Sequence, residues 1–512
     1  MTSRTGSDNQ TIVISFLKRF ASAILILSLP LLVLSLLAPE FLLLLFPDDA
    51  FYYLQIARNV SRGLGASFDG INPTNGYHPL WLWILAFMAK FFHSPSSLLF
   101  ATLFLQILLA GAGIAVLATL FLRSKTAEKF FWVSCGVIFF NLLPLSMLIN
   151  GLESSLYFFL LSLAVLILIR YEDNAVNSIF RWFICGLVSG LVFLARLDGA
   201  IFAFWVLVML LLGNENPGQR VKKSFALATG FFILALPYLF YNWYEFGHPV
   251  PISGRIKSFY FSKNYIYLLA ISTFYLLTIA GLTYFQLKSR SKQMIFPKTV
   301  FPFLQFCLSI IFYYLLTPSF ALVLWYYVPL LLLLIPALAL VLNQLWQSEK
   351  FISKAFGAVL FSVGVIGILC GFVIYTYPRS QSVIRLQNQV ILWIRQNLPA
   401  DARLAAWSSG AVAYFSERQT VNLDGLVNSP EYFFHYRRQG RAGEFIRKMN
   451  VDYVVVYYLG PRDPNRLGIK LEPVFEAQDS YQGIATLFKK TPVSYHIFKT
   501  EFCKHPPQKN IH

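Results

Sequence analysis

The stretch LKRFASAILILSLPLLVLSLLAPEFLLLLFPDDAFYYLQIARN, residues 17–59, decides the architecture. Behind Lys18 and Arg19 runs a predominantly apolar segment long enough to cross a hydrocarbon core of about 30 Å as a helix. It is too long for the apolar region of a signal peptide, and no small-residue cleavage site follows, so it reads as a retained first membrane helix. Immediately after it stand two carboxylates, Asp48 and Asp49. Acids at a membrane boundary are costly unless water, a cation or a substrate meets them.

Working outward, similar apolar runs recur. The chain is 57% hydrophobic and 13% charged, against about a quarter charged in soluble domains. Spans are expected at 17–38, 98–122, 130–149, 154–170, 181–195, 199–213, 223–242, 264–287, 300–317, 320–342 and 353–376. The expected fold is thus an α-helical polytopic membrane protein with about eleven transmembrane helices and a small C-terminal α/β soluble domain. The breaks holding Arg123/Lys125/Lys129, Arg170/Arg181, Arg220/Lys222/Lys223, Lys288/Arg290/Lys292/Lys298 and Lys350/Lys354 are each two spans apart. They share one side, which the positive-inside rule makes the cytoplasm, together with the N-terminus. The +18 net charge is therefore spent on short loops and forms no continuous basic face, which excludes a nucleic-acid partner.

The same bookkeeping puts residues 39–97, the turns 150–153 and 196–198, the loop 243–263 and everything after 376 outside. A crossing by the apolar piece PLWLWILAFMAKFF (79–92) would invert every later basic loop, so it is expected to lie in the interface. Three regions result: a membrane domain over 1–378 with first outer loop 39–97, an extracytoplasmic α/β domain over 379–490, and a basic tail over 491–512. In the second, QNQVILWIRQNLP reads as an amphipathic helix and VDYVVVYYLG as a strand. Four of five cysteines lie in apolar spans, and their spacing fits neither a disulfide framework nor a zinc site.

The polar clusters all fall on the outer face. Paired carboxylates can hold a divalent ion or supply a general base, although Asp before AFYYLQIARN also makes a helix N-cap. Tyr52, Tyr53, Asn72, Asn75, Tyr77 and His78 share the loop with the pair. Aromatic rings and amides suit sugar recognition, and tyrosines equally suit interface anchoring. Glu153, in INGLESSLY, either faces an aqueous cavity or caps the following helix. Arg196 and Asp198, in ARLDG, either pair with each other or bind substrate. His248, Arg255 and Lys257 follow in NWYEFGHPVPISGRIK, where two basic side chains two apart could clamp a phosphate or meet lipid headgroups.

Together these residues resemble the GT-C class of membrane glycosyltransferases, which includes protein O-mannosyltransferases, oligosaccharyltransferases and aminoarabinose transferases that modify lipid A. The likeness rests on Asp48/Asp49, YHPLWLW (77–83), Gly151-Leu152-Glu153, ARLDG (195–199), YNWYEFGHPVPISG (241–254) and WYYVPLL (325–331). It implies a polyprenyl-phosphate sugar donor, an acceptor hydroxyl on a glycan, glycolipid or protein, and inversion by one displacement. It implies Asp48 as general base, with Asp49 and Glu153 positioning the acceptor or holding a divalent cation such as Mg or Mn. Tyr52, Tyr53, Asn75, His78, Arg196, Asp198, His248, Arg255 and Lys257 are the substrate-binding candidates. The location this implies is the bacterial cytoplasmic membrane.

A transporter or flippase would show broken helices, midplane charges or two similar halves. A glycan polymerase or ligase would lack an acidic pair directly after the first helix. A third alternative makes the C-terminal domain a binding module on an inactive anchor, with Asn422, Asp424 and Asn428 as its polar residues.

Overall fold

A computed structural model describes residues 4–37, 45–121, 125–173, 179–213, 215–259, 273, 301–316, 324–347, 378–459, 467–481 and 491–504. Among them, four helices are long and apolar enough to cross a membrane: Val13–Val33, Pro95–Thr119, Pro217–Phe246 and Trp325–Asn343. Helices Ser154–Asp173, Ile179–Ala195, Ala200–Leu211 and Phe301–Leu316 coincide with further expected spans. The expected spans 264–287 and 353–376 lie outside the described residues.

Local chemistry explains the boundaries. The Pro217–Phe246 helix opens where the Asn216 side chain accepts from Gln219 N–H, with Pro217 in the first helical position, where no N–H is required. The segment expected as one span over 130–149 is instead two helices, Glu128–Phe139 and Leu142–Leu148, bent by 92°. Asn141 sits at the break and accepts from Leu143 N–H, and Pro144 next to it has no N–H to continue the ladder. The Pro79–Ala89 helix has 11 residues, about 16 Å of rise. That is roughly half a hydrocarbon core, and Trp83 and Phe87 on it are exposed.

The C-terminal domain holds a five-stranded sheet in the order β2-β1-β3-β5-β4, where β1 is Arg403–Ala406, β2 Gln419–Asn422, β3 Tyr453–Leu459, β4 Leu471–Tyr481 and β5 Thr491–Thr500. β1, β2 and β3 run parallel, and β5 is antiparallel to both β3 and β4. Residues 491–500, expected in the tail, therefore form an interior strand. Tyr495 and Ile497, two apart on it, are buried on one apolar face. One face of the sheet packs on the Pro378–Asn397 helix through Leu386, Val390 and Ile394. The other packs on Phe445 and Ile446 of the Ala442–Lys448 helix.

This domain is welded to the helix bundle. Ala411, Tyr414, Leu426, Val427 and Phe433 belong to the same continuous apolar core as the membrane helices. Polar ties reinforce the seam: Arg58 pairs with Glu417 at 2.6 Å, Tyr414 Oη donates to Pro95 O at 2.7 Å, and Gln419 Nε2 donates to Asp69 O at 2.9 Å.

Candidate active site

The Asp48–Ser61 helix follows the first apolar run and packs on the Pro79–Ala89 and Gly410–Ser416 helices. Consecutive side chains on a helix point about 100° apart, so its two acids part company. Asp49, Tyr52, Tyr53 and Ile56 stand at i, i+3, i+4 and i+7, one face of the helix, and all four line a cleft. The cleft encloses about 550 Å³, part of it open to solvent, and Tyr77, His78, Glu153, Ser253, Trp325 and Tyr326 also line it.

Asp48 turns the other way. Its carboxylate accepts from Gly410 N–H and Ala411 N–H, each at 2.9 Å, and so caps the Gly410–Ser416 helix of the C-terminal domain. This helix follows β1, and the crevice outside the carboxyl ends of parallel strands is where α/β domains usually take ligands. Here a protein carboxylate occupies it. Burial pushes the Asp48 carboxyl up to about 6, against the lowering effect of the two N–H donors, with Asp424 and Asp49 adding repulsion. A side chain at Gly410 would collide with the Asp48 backbone. Gly410→Val is therefore expected to cost about 1–3 kcal/mol and to make the C-terminal domain sensitive to limited proteolysis.

Asp424, at the end of β2, accepts from Tyr52 Oη at 2.9 Å and from Ser408 N–H at 2.7 Å. Burial is the main cause that raises its carboxyl above the ordinary range. The Tyr52 ring meets Phe68 edge-on, so both ends of this tyrosine are fixed. Tyr53 Oη accepts from His78 N–H at 2.9 Å, which aligns the two parts of the first outer loop.

Glu153 reaches the cleft from the turn between two helices. Gln106, buried in the Pro95–Phe121 helix, secures that turn by accepting from Gly151 N–H and donating to Leu152 O. Trp81 Nε1 donates to Gly151 O. The Glu153 carboxylate accepts from Arg196 Nη1 at 2.9 Å, with His78 Nε2 at 3.7 Å. Behind it, Arg196 pairs with Asp198 at 2.8 Å. Tyr157 Oη and Tyr314 Oη donate to Asp198 at 3.0 and 3.1 Å, and the Arg196 guanidinium lies over the rings of Tyr157 and Tyr326. Arg196 and Asp198 thus form a buried brace for Glu153, set back from the cleft wall.

The remaining expected residues take other positions. Asn75 is buried and structural: it donates to Asn242 Oδ1 and accepts from Ile252 N–H. Asn72 donates to Asp69. His248 is half-buried and accepts from Val250 N–H. Arg255 lies 4.4 Å above the Phe434 ring of the C-terminal domain, two residues on from Ser253 and therefore on the opposite side of the Ile252–Phe259 helix. The Lys257 side chain lies outside the described residues. Sequence reasoning missed Tyr157, Tyr314, Leu426 and Val427. The first two lie within apolar spans and the last two in a segment read as a turn.

Asp49 and Glu153 were the candidate ligands for a divalent cation. Glu153 is committed to Arg196, and among the described residues no group of three or more His, Cys, Asp or Glu side chains is placed to hold a metal. Hard cations take six or more oxygen ligands, several of them carboxylates when the protein holds the ion itself. Asp49 and Glu153 are the carboxylates that line the cleft.

The Archaeoglobus fulgidus oligosaccharyltransferase, solved in its apo form, superposes with a TM-score of 0.54 at 14% identity, over 86% of this chain and 69% of that one. ArnT from Cupriavidus metallidurans, solved bound to undecaprenyl phosphate, superposes with a TM-score of 0.52 at 13% identity, over 96% of this chain and 98% of that one. The chain shares the fold of these two proteins. Its apo ArnT counterpart gives the same TM-score at 12% identity. Residues 377–503 match a family model described as Domain of unknown function (DUF8728). No curated protein matches the chain.

Proposed function

We propose that this protein is an inverting glycosyltransferase of the GT-C class that moves a sugar from a polyprenyl-phosphate donor to an acceptor hydroxyl at the extracytoplasmic face of the bacterial cytoplasmic membrane. The observation that carries this reading is Asp49 on the wall of a cleft shared with Tyr52, Tyr53, His78 and Glu153, at the mouth of an apolar helix bundle. ArnT of the same fold was solved with undecaprenyl phosphate, the carrier such a reaction releases.

In this reading Asp49 is the general base, the part the family resemblance assigned to Asp48. Both Asp48 oxygens already accept backbone N–H groups, which leaves that carboxylate a joint between domains. Asp49 takes the acceptor hydroxyl proton while the oxygen attacks the anomeric carbon. The bond from that carbon to the phosphate oxygen breaks, and the electron pair leaves with the polyprenyl phosphate. Ser253 on the cleft wall, together with the N-terminal end of the helix that carries it, supplies the positive field the leaving group needs. Arg196 holds Glu153 in place, and Glu153 and His78 orient the acceptor.

The test is sugar transfer from labelled undecaprenyl-phosphate hexoses by full-length protein. Asp48→Asn is expected to retain activity within about tenfold, because the substitution costs a helix cap worth about 0.5–2 kcal/mol. Loss of activity as deep as that of Asp49→Asn would return the base role to Asp48. Because Glu153 is held by Arg196, transfer is expected to proceed without a bound cation and a chelator to leave the rate within about twofold; full loss restored by Mg or Mn would show that a cation completes the site.

Asp48 also gives a pH signature. Its folded value near 6 lies above its ordinary 3.8, so the native state holds the proton more tightly. Stability therefore falls as pH rises from about 4 through 6, by roughly 3 kcal/mol. Thermal melts should show this loss between pH 4 and 6 in the parent protein and a flatter profile in Asp48→Asn.

A further inference from the structure

Among the residues lining the cleft, Leu426 and Val427 are contributed by the C-terminal domain. The loop that carries them follows β2 and is held from both sides. Within the domain, Gly425 N–H donates to Asn422 Oδ1 and Asn428 Nδ2 to Asn422 O. From the first outer loop, Thr74 Oγ1 donates to Asn428 O at 3.1 Å, and Gly76 packs so closely on the Leu426 carbonyl that any side chain there would collide with it. The wall is therefore rigid, and both of its side chains are nearly inaccessible to bulk water.

The cleft's other flank is rooted in the membrane. Trp325 and Tyr326 stand at the start of the apolar helix Trp325–Asn343. A donor whose prenyl tail stays in lipid must enter along that flank, which leaves the Leu426–Val427 wall to the second substrate. Two aliphatic side chains offer no hydrogen bonds, so they select by shape and by contact with C–H groups.

Resting on the transferase reading, we infer that Leu426 and Val427 are specificity-determining residues for the acceptor, packing on the C–H face of the group that presents its hydroxyl to Asp49. The C-terminal domain is then half of the acceptor site. It is neither an appended binding module nor a spacer.

The experiment uses full-length protein in membranes from native cells lacking the gene, with labelled undecaprenyl-phosphate glucose and mannose as donor probes. Two rates are read: label passing to membrane-borne acceptor, and label released as free sugar by water. Their ratio does not depend on how much of a variant folds. Leu426→Ala and Val427→Ala are each expected to lower that ratio about tenfold or more, the scale for lost methylene contacts in an apolar pocket, with the donor KM for hydrolysis unchanged within about twofold. An unchanged ratio in both variants, or a raised donor KM at constant ratio, overturns the inference while leaving the transferase intact. A parent protein that moves label to neither acceptor nor water overturns the transferase reading and this inference with it.

Discussion

Asparagine at position 49 is expected to leave a folded membrane protein whose sugar transfer has fallen by about 10²–10⁴, the usual contribution of a positioned general base. The substitution keeps the side chain's shape and removes its basicity. Because Asp49 lies on the cleft wall while its neighbour caps the adjoining domain, the loss should appear in kcat with little change in donor KM. Gel filtration and thermal melting should match the parent, since asparagine fills the same volume and keeps a polar side chain. A variant that melts early would instead assign Asp49 a structural part.

The second large effect belongs to stability. Arg196 is buried with Glu153 and Asp198 on either side, and it also lies against two aromatic rings. Arg196→Leu strands two carboxylates in a dry interior, and breaking a buried pair from one side costs about 3–5 kcal/mol. Lysine is no substitute, because one ammonium cannot reproduce a planar fork that serves both acids. The early melt of Arg196→Leu should be partly repaired by adding Glu153→Gln, which removes one unpaired charge. An unaltered melting temperature in Arg196→Leu would mean the brace contributes nothing net.

How much of this was legible in the sequence differs by residue. The helices followed from apolar length alone, because backbone groups in lipid have no water to bond and must be satisfied within the segment. Where a polar side chain could substitute for the ladder, length misled, as at Asn141. The face carrying Asp49, Tyr52, Tyr53 and Ile56 was readable from its i, i+3, i+4, i+7 spacing. The separation of Asp48 from Asp49 was not, because the partner that claims Asp48 lies more than 360 positions away. The same long range hid Leu426 and Val427, whose role depends on a domain folding back onto the first outer loop. Thr491–Thr500 escaped because its strand pattern sits in a basic C-terminal stretch, and its pairing with β3 is what identifies it. Arg196 and Asp198 were readable as a pair, but not as the support of Glu153.

The account stands or falls on whether the bond between sugar and carrier is broken at this cleft. Purified protein in liposomes, given undecaprenyl phosphate carrying a labelled sugar of known anomeric configuration together with native acceptor membranes, should release the label from its carrier and return it in the inverted configuration, read by NMR. Label that stays on the carrier and merely changes leaflet would make this molecule a transporter and contradict the account.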